Sequence, residues 1–191
     1  MTYQTASFFD DDVVDVARRL IGATLLVKGV GGIVVETEAY GAQDPASHSF
    51  RGPTARNGSM FKEPGTVYVY RSYGIHWCVN VVCQPGTAVL FRALLPTHGI
   101  PVMEQRRGMT AMHRLCAGPG CLTQALAIDA RHDGLEIFAQ PFDFAPPPTE
   151  VPSVCGPRIG ISKAVDLPWR FCAADGLYLS KPLKKNGPAL A

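Results

Sequence analysis

The chain has 191 residues, of which 47% are apolar and 18% are charged, and its formal net charge is +2. This length suits one hydrophobic core better than two, so a single domain is expected over residues 1–191. The apolar share excludes a disordered protein, and the small net charge does not by itself indicate a polyanionic partner.

The N-terminal segment, MTYQTASFFDDD, has no basic flank followed by an apolar stretch and a small-residue cleavage site. It therefore lacks the pattern of an export signal. No apolar run of the sequence is long enough to cross a bilayer. These features predict a cytoplasmic protein that does not associate with membranes.

Apolar periodicity and turn residues predict the elements of the fold. In chain order they are a helix over 13–21, strands over 25–27 and 33–40, a loop over 41–65, strands over 66–70, 75–82 and 88–94, helices over 101–107 and 122–127, a stiff proline-rich connection over 140–152, and short strands over 156–162 and 176–179. Together they predict a mixed α/β (α+β) fold with a curved, mostly antiparallel sheet and surrounding helices.

The six cysteines raise the question of a metal or disulfide. Cys78 and Cys83 are five apart on a predicted strand, so their side chains point to opposite faces. Cys116 and Cys121 bracket a Gly-Pro-Gly turn that could bring them together, but no CxxC pair occurs. We therefore expect free thiols and no metal site.

Two acids compete for a chemical role on the predicted strand 33–40. Glu36, Glu38 and Tyr40 alternate with apolar residues, which places them on one face. Glu38 lies near the end of an apolar strand, where burial is costly unless the charge has partners or a bound water. A structural ion pair with an arginine such as Arg92 is the alternative, and the spacing does not distinguish Glu36 from Glu38.

Aromatic rings are the second feature of this region. Tyr68 and Tyr70 share a strand face and Tyr40 ends another strand, so three phenol rings could line one concavity, although ordinary packing also accounts for them. Tyr73 lies in a tight turn before Gly74, where packing explains it less well. An exposed ring on a stiff hairpin would form a wedge.

His48 and Asn80 add polar groups that are open to two interpretations. His48 lies in a polar loop and could stabilise that loop or contact the edge of a substrate. Asn80 interrupts a valine-rich strand, where a ligand or a neighbouring backbone group could satisfy its amide. A carboxylate combined with such rings and hydrogen-bonding groups suits gripping a flat base while water attacks its sugar.

Basic residues occur in groups that could face phosphates or simply lie on the solvated surface. They are Arg51, Arg56 and Lys62, then Arg106, Arg107 and Arg114, and finally Lys181, Lys184 and Lys185.

Four ordered segments resemble one known family. They are VVETEAYGAQDPASHSFRGPTARNGSMF, KEPGTVYVYRSYGIHWCVNVV, AVLFRALLP and LCAGPGCLTQALAID. The chain resembles the alkyladenine (3-methyladenine) DNA glycosylases from about residue 17 to 129, with weaker similarity from GPRIGISKA to WRF.

The resemblance implies a monofunctional DNA glycosylase that starts base excision repair. Such an enzyme flips alkylated purines (3-methyladenine, 7-methylguanine, with hypoxanthine and ethenoadenine as further candidates) out of duplex DNA and hydrolyses the N-glycosidic bond. No lysine falls in the matched pocket, which favours hydrolysis without lyase chemistry. The expected partner is double-stranded DNA with alkylated or deaminated purines. No cofactor is expected, and the enzyme is expected to be a monomeric, bacterial-type protein that acts on the nucleoid.

The resemblance also assigns roles to individual residues. Glu38 matches the general base that activates water, which leaves Glu36 as a structural neighbour, and Arg92 matches an arginine near the catalytic water. Tyr73 matches the ring inserted into the duplex. The residues that match the base pocket are Tyr40, His48 and Tyr70, with Tyr68 supporting the histidine and Asn80 excluding guanine by crowding its exocyclic amino group.

Overall fold

The computed structural model describes residues 7–183. Its helices include α1 (Val13–Arg19), α2 (Ile100–Arg107), α3 (Met112–Leu115) and α4 (Pro119–Leu126), with 3₁₀ turns at Gly58–Phe61 and Ala130–His132. Its strands are β1 (Thr24–Val27), β2 (Val30–Tyr40), β3 (Val67–Ser72), β4 (His76–Val82), β5 (Ala88–His98), β6 (Phe142–Ala145), β7 (Ser153–Gly156) and β8 (Arg170–Ala173).

These strands form one sheet in the order β3-β4-β5-β2-β1-β6, and β8 joins β2 to β7. The pairings between these strands are antiparallel. Register shifts between β2 and β5 mark bulges, which increase the local bend of a strand. The mixed α/β fold with a curved antiparallel sheet is thus confirmed.

The strand β2 is the centre of the sheet because it pairs with β5 along its length, with β1 at its start and with β8 near its end. Its first half needs glycine. A Cβ at Gly31 would lie 2.0 Å from the Leu25 carbonyl oxygen, and one at Gly32 would lie 1.9 Å from that of Leu95. Only residues without a side chain allow neighbouring strands to approach this closely.

The helix α1 covers the sheet near β2 and begins as the sequence predicts. The Asp12 carboxylate accepts hydrogen bonds from the backbone N–H groups of Val14 (2.9 Å) and Asp15 (3.3 Å), which caps the helix. Its buried face, with Val16 and Ala17 at zero exposure, joins the main core. The backbone carbonyl of Ala17 also accepts a hydrogen bond from the Thr37 hydroxyl at 2.8 Å, which ties the helix to β2.

Two strand predictions in the last third of the chain are wrong. Residues 157–162 and 176–179 form loops and turns, and Gly156 is the last residue of β7, so the strands of this region are β7 and β8. Gly160 (φ +77°) and Gly176 (φ +68°) adopt left-handed backbone conformations that do not continue a strand. The proline-rich connection also contains a strand, β6, because Pro141 and Pro146 flank that strand and do not interrupt it.

All six cysteines are free thiols: Cys78, Cys83, Cys116 and Cys172 are buried and the other two are half-buried. Among residues 7–183, no group of three or more His, Cys, Asp and Glu side chains is arranged to hold a metal ion. Within the same residues, no helix combines the length and apolar character needed to span a bilayer.

Candidate active site

A cavity of about 530 Å³ opens beside the β3–β4 hairpin. Of the seven residues to which the resemblance assigns catalysis, base contact or insertion into the duplex, six line it, in addition to Tyr68; the six are Tyr40, His48, Tyr70, Tyr73, Asn80 and Arg92. The seventh, Glu38, lies behind the cavity wall with zero exposure. The structure therefore brings together residues that are up to 54 positions apart, from Glu38 on β2 to Arg92 on β5.

The Glu38 carboxylate contacts three groups of the cavity wall. The Tyr40 hydroxyl donates to Oε2 at 2.8 Å, the backbone N–H of Ile159 donates to Oε1 at 2.7 Å, and Arg92 Nη1 lies 3.2 Å from Oε2. Burial raises the pKa of Glu38 above its usual range, while Arg92, the Ile159 amide and the Tyr40 hydroxyl act in the opposite direction. A carboxylate accepts about four hydrogen bonds, so these three partners leave room for one more donor.

Glu36, the competing acid, has a different environment. Its Oε1 accepts from Arg92 Nε (2.9 Å), from Arg170 Nε (2.7 Å) and from the Ser180 hydroxyl (2.7 Å). Its Oε2 accepts from the Ser180 backbone N–H at 2.6 Å. Four donors fill the usual capacity of a carboxylate. Neither acid lines the cavity itself, but the three residues that contact Glu38 all line it, whereas Arg170 and Ser180, which donate to Glu36, do not. The geometry therefore favours Glu38 as the acid that can bind a further group.

Arg92 connects the two acids, so the ion pair considered for Glu38 in the sequence is present. It is 6% exposed and donates to Glu36 through Nε, while its Nη1 faces Glu38. Because Arg92 also lines the cavity, the same guanidinium contacts the carboxylate and borders the space beside it.

Aromatic rings form one wall of the cavity. Tyr68 and Tyr70 stack with centroids 5.5 Å apart, and the ring of His48 meets Tyr70 edge-on at 4.4 Å. His48 Nδ1 lies 2.9 Å from the Tyr68 hydroxyl. Although His48 keeps part of its surface exposed, partial burial lowers its pKa, which favours the neutral imidazole at neutral pH.

Asn57 fixes the loop that carries His48, and sequence reasoning missed it. Its side-chain amide donates to the carbonyls of His48 (2.9 Å) and Gly52 (3.2 Å). Its Oδ1 accepts from the backbone N–H of Thr54 at 2.6 Å and from the Thr54 hydroxyl at 2.8 Å. A single buried amide thus ties together the part of the loop that runs from the histidine to Asn57.

Of the two partners considered for the Asn80 amide in the sequence, a ligand or a backbone group, the structure shows the backbone group. This side-chain amide donates to the Tyr68 carbonyl at 3.0 Å, across the β3–β4 ladder. The residue is 4% exposed and still contributes to the cavity lining. Its position is therefore fixed by the sheet and does not depend on a ligand.

Tyr40 is supported from behind by a second ion pair that sequence reasoning also missed. The Arg158 guanidinium lies 4.7 Å from the Tyr40 ring centroid and 5.3 Å from that of Trp169. Arg158 pairs with the fully buried carboxylate of Asp44 and donates to the Ala39 carbonyl at 2.9 Å. The only signal in the sequence was the weak family similarity of GPRIGISKA, which contains Arg158.

Tyr73 lies at the tip of the β3–β4 hairpin and is 83% exposed. Both Tyr73 (φ +50°) and Gly74 (φ +67°) adopt left-handed conformations, and the Ile75 N–H donates to the Ser72 carbonyl at 2.9 Å. A bulky residue rarely adopts a positive φ, and such local strain is typical of functional sites. The neighbouring Ile75 is 77% exposed, so two apolar side chains project from a short, hydrogen-bonded turn.

The basic residues divide into two kinds. Arg106 donates to the Ala125 carbonyl at 2.9 Å and Arg107 to the Leu115 carbonyl at 3.1 Å, so both hold neighbouring helices. Of the remaining candidates for phosphate contacts, the exposed ones are Arg51, Arg56, Lys62, Arg114 and Lys181. Lys184 and Lys185 lie outside the described residues.

Comparison with known proteins gives the family. A family model described as Methylpurine-DNA glycosylase (MPG) matches residues 7–176. The chain belongs to the methylpurine-DNA glycosylase family. The resemblance seen in the sequence is thereby confirmed, and the protein is a hydrolase of N-glycosyl bonds that takes part in DNA repair.

Similar bacterial proteins extend over nearly the whole chain. One from Nitrosospira multiformis is 55% identical over 180 residues, which is 93% of each chain. One from Rhodopseudomonas palustris (strain CGA009) is 55% identical over 95% of this chain and 89% of its own. One from Nitrobacter winogradskyi is 55% identical over 96% of this chain and 89% of its own. Each is provisionally named 3-methyladenine DNA glycosylase.

Proposed function

We propose that this methylpurine-DNA glycosylase excises alkylated purines such as 3-methyladenine and 7-methylguanine from duplex DNA by means of a water activated by Glu38. The observation that carries the proposal is the place of Glu38: it is fully buried, and Tyr40, Arg92 and Ile159, which contact its carboxylate, line the cavity. Residues 1–191 act as one catalytic domain in this proposal.

Water is activated by the remaining acceptor site of the Glu38 carboxylate. Arg92 stabilises the ionised carboxylate and offsets part of the cost of its burial. The ionised carboxylate orients and deprotonates a water that attacks C1′ of the sugar, and its charge stabilises the oxocarbenium character of the transition state. A cationic alkylpurine leaves without further protonation, whereas neutral hypoxanthine needs an acid.

The extruded base is gripped by aromatic rings. The cavity volume of about 530 Å³ is in the usual range for small-molecule pockets. A methylated, positively charged purine gains about 1–2 kcal/mol from desolvated contact with electron-rich rings such as those of Tyr40 and Tyr70. His48 supplies a hydrogen bond to the base edge, and Asn80 crowds the exocyclic amino group of guanine.

Extrusion of the nucleotide is assisted by Tyr73, which fills the space left in the duplex. Unstacking a base costs a few kcal/mol and costs least for a damaged base. Tyr73 suits this role because it is exposed and held on a stiff turn. The proposed substrates are alkylated or deaminated purines in duplex DNA. The enzyme is proposed to act as a monomer on the nucleoid.

Hydrolysis without strand cleavage is the expected outcome. No lysine is among the residues 7–183 that line the cavity, and an amine nucleophile is what lyase chemistry requires. The abasic site produced by the protein should therefore stay intact until it is treated with alkali.

Release of free base tests the proposal. Duplex DNA with a single 7-methylguanine is incubated with the protein, the free base is measured by chromatography, and the strands are analysed with and without alkali. Free 7-methylguanine and alkali-dependent cleavage are expected. Tight binding without release would instead support a damaged-DNA binder in which Glu38 serves as the structural partner of Arg92, a reading favoured by their 3.2 Å contact.

A further inference from the structure

A short segment near the end of the described chain closes the charge cluster behind the cavity. The Ser180 hydroxyl and backbone N–H both donate to Glu36, at 2.7 and 2.6 Å, and Arg92 Nη2 donates to the Ser180 hydroxyl at 3.2 Å. Arg170 also donates to the carbonyl of Lys181. Ser180 lies beyond residue 176, where the match to the family model ends.

The cluster is balanced in charge and almost fully buried. Its members are two acids and two arginines, with exposures of zero for Glu36 and Glu38, 6% for Arg92 and 3% for Arg170. Buried charges are tolerated when paired and hydrogen-bonded, so each neutral donor or acceptor in such a cluster matters. Ser180 takes part in three hydrogen bonds of the cluster: two that it donates to Glu36 and one that it accepts from Arg92.

These contacts fix the direction of Arg92. Glu36 holds Nε and Ser180 holds Nη2, while Nη1 lies 3.2 Å from Glu38. A guanidinium is planar and rigid, so fixing two of its nitrogens determines where the third points. Without the hydroxyl of Ser180, only the Glu36 contact would keep Nη1 directed at Glu38.

We propose that Ser180 is a positioning residue for catalysis, which acts by holding the Arg92 guanidinium against Glu38. This inference rests on the proposed function, because it requires Glu38 to be the group that activates water. Ser180 itself contacts neither base nor water in this scheme.

The test compares Ser180→Ala with Ser180→Thr. Alanine removes the hydroxyl and keeps the backbone N–H, while threonine restores a hydroxyl. Ser153→Ala is the matched control, since Ser153 is also half-buried but lies on β7 outside the cluster. Single-turnover release of 7-methylguanine is measured across pH, with binding to the lesion duplex and the melting temperature measured in parallel.

We expect Ser180→Ala to slow excision by about 3- to 10-fold, in keeping with the loss of a hydrogen bond within a charged cluster. In this variant the pH at which the excision rate falls on the acid side should be higher, because an Arg92 that is held less firmly stabilises the ionised Glu38 less. The affinity of Ser180→Ala for the lesion duplex should be unchanged. Ser180→Thr should recover the wild-type excision rate and pH profile, and Ser153→Ala should retain both. The titratable or charged groups near Glu38 in this readout are Glu36 and Tyr40 on β2, Cys78 on β4, Arg92 on β5, and Arg170 and Cys172 on β8.

A normal rate and pH profile in Ser180→Ala would overturn the inference. So would a slower rate with an unmoved pH profile, which would indicate a general loss of stability. If Ser180→Ala does not fold, Ser180→Cys, with a weaker donor of similar shape, is used under the same criteria. A wild-type protein that releases no base, or a Glu38→Gln variant with normal rate, would instead contradict the proposed function itself.

Discussion

Replacing Tyr73 by alanine removes a ring that contributes little to the stability of the folded protein. Tyr73 is 83% exposed, so the change should alter the free energy of unfolding by no more than about 0.5 kcal/mol. Stacking of an aromatic side chain on a base contributes about 1–3 kcal/mol. If the ring enters the duplex, Tyr73→Ala should therefore weaken binding to a lesion duplex by about 5- to 150-fold.

The assay combines fluorescence anisotropy for binding with a fluorescent base analogue that reports extrusion. Tyr73→Phe is the control, because it keeps the ring and should behave like the wild type in both measurements. A Tyr73→Ala variant that binds the duplex and extrudes the base normally would refute the role of Tyr73 as a wedge.

Other predictions concern the groups around the cavity. Asp44→Asn leaves the buried Arg158 without its ionic partner, so it should destabilise the protein by about 3–5 kcal/mol in urea unfolding, and an unchanged midpoint would contradict the buttressing of Tyr40. Asn80→Ser should allow measurable release of unmodified guanine from duplex DNA, whereas no gain would argue against steric exclusion. Since the active form of Glu38 is ionised and its pKa is raised, excision of 7-methylguanine should be lost as pH falls through a midpoint above the usual glutamate range, and a midpoint within that range would contradict this.

Local pattern was sufficient for some of the site. The alternation in β2 placed Glu36, Glu38 and Tyr40 on one face, and the structure joins Tyr40 to Glu38 and both acids to Arg92. The Gly74 turn predicted an exposed Tyr73 for the reason that the structure shows, which is a tight hairpin with left-handed residues.

Contacts between residues far apart in the chain could not be predicted from the local sequence pattern. The choice between the acids depends on which carboxylate is already saturated, and the donors to Glu36 include Arg170 and Ser180, 134 and 144 positions away. The support of Tyr40 by Arg158 likewise comes from 118 positions along the chain (158 − 40). Strand β8 was missed because it is recognised by its pairing with β2 rather than by its own four residues.

In the proposed mechanism, the Glu38 carboxylate activates the water that cleaves the glycosidic bond. The most direct test of this step is the single-turnover rate of 7-methylguanine release by Glu38→Gln, with duplex binding and melting temperature as controls for folding. A general base contributes about 10²- to 10⁴-fold, so a loss of at least about 10²-fold with binding retained is predicted. Near wild-type release by this variant would contradict the mechanism.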